Sequence, residues 1–125
     1  MKVIIAGPHR GVWAIGIVEQ AVILSGFDIT EVVSGQAPGI DTLGEQWANE
    51  RGIPVKPFPA DWTRFGKAAG RIRNGEMAAY VEGLVAIRNG SPGTANMIAL
   101  MKWKRLPHFV LDVDANATKM KTTGK

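Results

Sequence analysis

A chain of 125 residues has room for one hydrophobic core and one domain. Hydrophobic residues at 46% and charged residues at 21%, with no low-complexity tract, exclude a collagenous or disordered chain. Cysteine is absent, which excludes disulfides and thiolate metal sites, and three of the positives behind the net charge of +4 are Lys119, Lys121 and Lys125, leaving the body of the chain only mildly basic.

The opening run Val3 to Ala6 is apolar and stops at Gly7-Pro8, which reads as a buried strand. It is too short for a signal-peptide core, no stretch approaches membrane-spanning length, and the lack of cysteine suits a reducing compartment. The expected location is the cytoplasm, with no membrane partner. From Val12 to Leu24 the chain is apolar on nearly every side of a helix. Ile29 to Val33 is a second strand. Ile40, Leu43 and Trp47 then recur at helical spacing up to Gly52. Pro54 to Phe58 makes a third strand, and a polar loop over Pro59 to Lys67 leads into a helix from Ala68 to Val81. Leu84 to Ile87, Thr94 to Lys104 and Phe109 to Leu111 complete the series as strand, helix and strand. Beyond Asp114 small, polar and cationic residues predict a flexible basic tail over 114–125, leaving one domain over 1–113. Strands alternating with helices predict a Rossmann-like three-layer α/β domain with a parallel sheet of about five strands.

Ligands of such sheets bind beyond the carboxyl ends of the strands, where the strand order reverses. Three loops expected at that edge are rich in glycine: Gly7 to Gly11, Ser34 to Gly39 and Asn89 to Thr94. Each precedes a helix, whose free N–H groups and positive dipole end attract anions, and glycine lets a phosphate approach the backbone. For any single loop, a plain strand-to-helix turn is the better explanation of the glycines. Three on one edge favour a phosphate site. None has the Gly-Lys-Ser/Thr ending of a P-loop or the G-x-G-x-x-G dinucleotide fingerprint.

The segment Val33 to Asp41 is similar to the Ser-Gly-x-Ala-x-Gly-Ile/Ala-Asp motif of the SLOG superfamily, which includes the cytokinin-activating LOG enzymes and the DNA-processing protein DprA. Pro59-Ala60-Asp61-Trp62, Gly66-Lys67-Ala68-Ala69-Gly70, Arg73-Asn74 and Met77 resemble the central block of the small YspA-type SLOG family. Gly93-Thr94 with Asn96-Met97-Ile98 resembles that family's closing motif. The resemblance runs from residue 2 to about 112 and implies a domain that binds nucleotides or molecules derived from them. Carried over position by position, it assigns the ligand to Gly7, Arg10, Ser34, Gly35, Gly39, Asp41, Arg73, Asn74, Gly93 and Thr94. Two departures stand out. The second glycine that usually follows Ser-Gly is Gln36, which sets a bulky amide beside the ligand. The proline that usually precedes the Arg-Asn pair is replaced, leaving Arg71-Ile72, which either loosens the helix start or adds one more cation to the pocket.

Arg73 suits a bidentate pair with phosphate, and Arg10 a second clamp; a solvated arginine is the plain alternative. Thr94 suits a helix cap as well as a phosphate ligand. Asp41 would repel phosphate but accept hydrogen bonds from ribose hydroxyls, or simply stabilise the first turn of a helix. Trp62 could stack on a base or roof the core. Asn96 is a further polar candidate. Trp47 and Trp103 read as packing residues. His9 and His108 are too few and too separated for a metal site, and no cofactor is required.

The LOG enzymes cleave the N-glycosidic bond of nucleoside monophosphates with an arginine and a glutamate. Arg73 matches the arginine, with Asn74 replacing the lysine beside it, but the glutamate position is Met97, and a thioether can neither stabilise an oxocarbenium ion nor activate water. A substitute acid would have to be Asp61, Asp41 or Glu76. The leading expectation is therefore a sensor or binding module for a nucleotide-derived small molecule. The alternatives are a LOG-like nucleotide N-glycosidase and a DprA-like single-stranded DNA-binding protein, the latter disfavoured by few aromatics. Surplus apolar surface on Val12 to Leu24 and around Trp103, together with the commonly dimeric LOG relatives, suggests a homo-oligomer.

Overall fold

Alternate residues of a strand face opposite ways, and in this protein that period of two divides the core into two layers. The computed structural model describes residues 1–113 and the backbone of residues 120–122. In β1 (Lys2–Ala6), Val3 and Ile5 face one layer and Ile4 the other; in β4 (Gly83–Arg88), Val85 and Ile87 oppose Leu84 and Ala86. Strands apolar on both faces belong in the middle of a covered parallel sheet. With β2 (Glu31–Ser34), β3 (Val55–Pro57) and β5 (His108–Val113), they form five parallel strands in the order β3-β2-β1-β4-β5, and β6 (Met120–Thr122) pairs antiparallel beyond β5. Within the tail expected over 114–125, Met120–Thr122 form that sixth strand, and 114–119 and 123–125 lie outside the described residues.

Helices cover both faces. The layer of Val3 and Ile5 is closed by α1 (Ile15–Ser25), through Val18 and Ala21, and by α2 (Ile40–Glu50), through Ile40, Trp47 and Ala48. The layer of Ile4 and Leu84 is closed by α4 (Ala69–Tyr80), through Met77 and Ala78, and by α5 (Pro92–Lys104), through Met97, Ile98 and Met101.

Three local expectations change. The loop after β3 contains α3 (Trp62–Phe65), a four-residue helix followed by a 3₁₀ turn over Gly66–Ala68; one turn is too short to show a hydrophobic period. Helix α5 begins at Pro92, with Ser91 in the cap position, so Thr94 lies inside the first turn and is not the cap. Trp103, read as a packing residue, is 81% exposed. The buried stripe of α5 runs through Thr94, Met97, Ile98 and Met101, and a step of two residues from Met101 turns about 200° away from the sheet. Val12 and Ile23 are also bare, at 94% and 73%; Ile23 and Trp103 lie in opposite layers.

Leu84 and Trp103 therefore give opposite results on truncation. Leu84→Ala, at a fully buried position of the central β4, should cost about 3 kcal/mol in urea denaturation. Trp103→Ala should stay within about 0.5 kcal/mol of the parent.

Candidate functional site

The strand order reverses between β1 and β4: β1 leads to α1 in one layer, and β4 leads to α5 in the other. Their loops part at the carboxyl edge and leave a crevice. A cavity of about 590 Å³ occupies it, walled by the ends of β1 and β2, the start of α3, the first half of α4 and the start of α5.

The β2 end of the cavity depends on Gly35. A Cβ there would lie 2.5 Å from the Arg73 guanidinium and 2.9 Å from the Asp41 carboxylate, so glycine lets both groups sit as close as they do, and any other residue would make them shift. Arg73 donates to the Gly35 carbonyl through one terminal nitrogen and to Asn74 Oδ1 through Nε at 3.1 Å. Asn74 is buried and passes the connection on, donating to Asn96 Oδ1 at 2.9 Å and to the Gly93 carbonyl at 3.4 Å. The Arg-Asn pair thus ties α4 to the β2 loop with one residue and to the start of α5 with the next.

The first two loops are also joined. Gly39 has φ +80°, and a Cβ on it would meet the Pro8 carbonyl at 2.5 Å; beside it the Ile40 N–H donates to that same carbonyl at 3.1 Å. Behind the wall Ser34 donates to Glu45 Oε2 at 2.6 Å and accepts from the Gln36 N–H at 3.1 Å.

Charge in the cavity is mixed. Arg73, Arg71 and Lys67 supply cations, and Gly93 and Thr94 bring the positive end of the thirteen-residue α5 to the wall. Asp41 is the one carboxylate among the described lining residues. Its Oδ2 accepts from the Ala37 N–H at 3.2 Å. Burial pushes its carboxyl up to about 6, against the Ala37 N–H and Arg73, which favour the charged form; nearby Glu45 adds to the rise.

Most of the expected residues meet here. Gly7, Gly35, Gln36, Asp41, Arg73 and Asn74 line the cavity, as do Trp62, Gly93 and Thr94. Four do not. Arg10 is exposed and outside the lining, its carbonyl accepting from Trp13 Nε1 at 2.8 Å. Ser34 and Gly39 stand behind the loops they shape. Asp61, offered as a substitute acid, caps α3 by accepting from the Arg64 N–H at 3.0 Å, and Glu76 is exposed on the outside of α4; neither lines the cavity. The structure adds His9, Ser91 and Lys67 to the wall. The two former sit in glycine-rich loops already singled out, whereas Lys67 needed the α3 turn to bring it round.

Asp41 makes stability depend on pH. The folded protein holds this proton more tightly than the unfolded chain, whose value is near 3.8. Its contribution is therefore complete below about pH 4 and is lost as pH rises through about 6. Asp41→Asn, which keeps an acceptor for Ala37, should exceed the parent in stability at pH 7 by on the order of 2 kcal/mol, with the gap closing below about pH 4. Denaturation curves from pH 3.5 to 7.5 measure it.

A family model described as YspA, cpYpsA-related SLOG family matches residues 1–65. That span holds the loops after β1 and β2 and all of α3; Arg73-Asn74 and Gly93-Thr94 lie beyond it. Comparison with curated proteins and with solved structures gives no match.

Proposed function

The chain belongs to the YspA, cpYpsA-related SLOG family, and from that premise we propose that it binds a nucleotide, or a phosphate-bearing molecule derived from one, as a sensor or binding module. One observation carries the reading: the Arg73 guanidinium and the N-terminal turn of α5 border a single cavity at the strand-order reversal. Both favour an anion with several acceptor oxygens, and the asparagine bridge from Asn74 to Gly93 fixes one relative to the other. The cavity volume suits a small organic ligand. Trp62, 60% exposed and lying against Gly70, offers an aromatic face at the α3 wall for a base. Lys67 and Arg71 would hold further negative charge.

Binding is favoured over turnover by the residue three positions after Thr94. Met97 is 1% exposed and lines the cavity where the LOG enzymes carry glutamate. Asp41 is the remaining carboxylate among the described lining residues, and its Oδ2 is engaged by the Ala37 N–H.

Titration calorimetry with nucleoside 5′-monophosphates should give saturable binding that weakens about 30-fold in Arg73→Met, as loss of a charged hydrogen-bonding partner requires. Chromatography of the same mixtures should show no free base. Release of base at a steady rate would move the reading to the N-glycosidase, and no binding by any nucleotide would end it.

A further inference from the structure

Gln36 has φ +60°. Residues with a Cβ avoid that left-handed region, which glycine enters freely and asparagine tolerates best among the others. The loop itself makes no use of the side chain. The Gln36 N–H donates to Ser34 Oγ, a bond glycine would make equally well, and among the described residues no protein group bonds to the Gln36 carboxamide. The side chain is exposed, and the residue lines the cavity beside Gly35, where Arg73 and Asp41 meet. An unfavourable backbone conformation is thus occupied by a residue whose polar group has no structural task. Such residues concentrate at sites where the side chain is needed for something else.

We propose that Gln36 is a specificity-determining residue whose carboxamide reads the edge of the ligand's base; this rests on the nucleotide reading above. A primary amide is uncharged, so it adds nothing to the neutralisation of phosphate, which Arg73 and the α5 terminus supply. It presents one acceptor and two donors in a fixed plane. That pattern is complementary to the adjacent donor and acceptor on a nucleobase edge, the same pairing by which glutamine recognises adenine in nucleic acids. Gln36 in the β2 loop and Trp62 at the start of α3 line the same cavity, so one ligand can reach both.

The test compares the parent protein with Gln36→Gly, using AMP, GMP, CMP, UMP and ribose 5-phosphate as probes in titration calorimetry. The parent should separate the four nucleotides by about tenfold, and the variant should bring them within about threefold of one another. Ribose 5-phosphate should bind both proteins equally. The variant should melt at the same temperature as the parent or about 2 °C above it, because glycine relieves the left-handed conformation. Gln36→Asn, which keeps this backbone accessible but sets the amide back by one methylene, is the second variant and should lose the same discrimination. An unchanged spread among nucleotides in the variants overturns the assignment, as does a parent that binds all four alike. An equal loss for ribose 5-phosphate also overturns it, because the side chain would then act on the phosphate or the loop. Failure of the parent to bind any probe overturns the nucleotide reading and this assignment together.

Discussion

The site depends on a missing side chain at Gly35. Because no Cβ stands there, a guanidinium from α4 reaches the end of β2 and meets both a main-chain carbonyl and the neighbourhood of a buried carboxylate. Arg73 is thereby fixed by backbone as well as by its neighbour Asn74. A long, flexible cation has been made into a positioned one, with its ordering entropy lost on folding and not on meeting a ligand. Filling that vacancy would push the guanidinium end of Arg73 out of this seat.

Asp41 sets a counterweight to this cation. Its carboxyl is buried and held part-way to neutrality near pH 6, while Arg73 favours its charged form. An anion entering the cavity would compete with Asp41 for the same guanidinium. The net field of the wall is therefore less positive than the number of basic residues suggests, and directional groups matter more to recognition than charge alone.

The layered fold was legible because both its signals are local. Val3, Ile4 and Ile5 show a strand apolar on both faces, and Ile40 and Trp47 a helix with one buried side. The position of the cavity was legible because glycine-rich turns after β1, β2 and β4 must share one edge once the strands are parallel. What stayed hidden depends on distance in three dimensions. Arg10 belongs to a lining loop, yet its side chain is exposed and outside the cavity, a matter of loop direction that no pattern records. Asp61 reads as a candidate substitute acid, and its cap role emerges only when α3 is seen to begin at the next residue. Lys67 enters the wall only because that short helix and the turn after it bend the chain back. Trp103 was misplaced for a simpler reason: α5 is apolar on several sides, and hydrophobicity alone did not say which of them faced the sheet.

The two rims of the sheet carry a separate consequence. On one side β3 is three residues long and closes with Pro57, which has no N–H to offer, and it carries Lys56 in its middle; on the other, the equally short β6 reverses direction against β5. The β3 rim is therefore a poor template for an incoming strand. On the helical coats the apolar side chains of Ile23 and Trp103 stand bare on opposite sides.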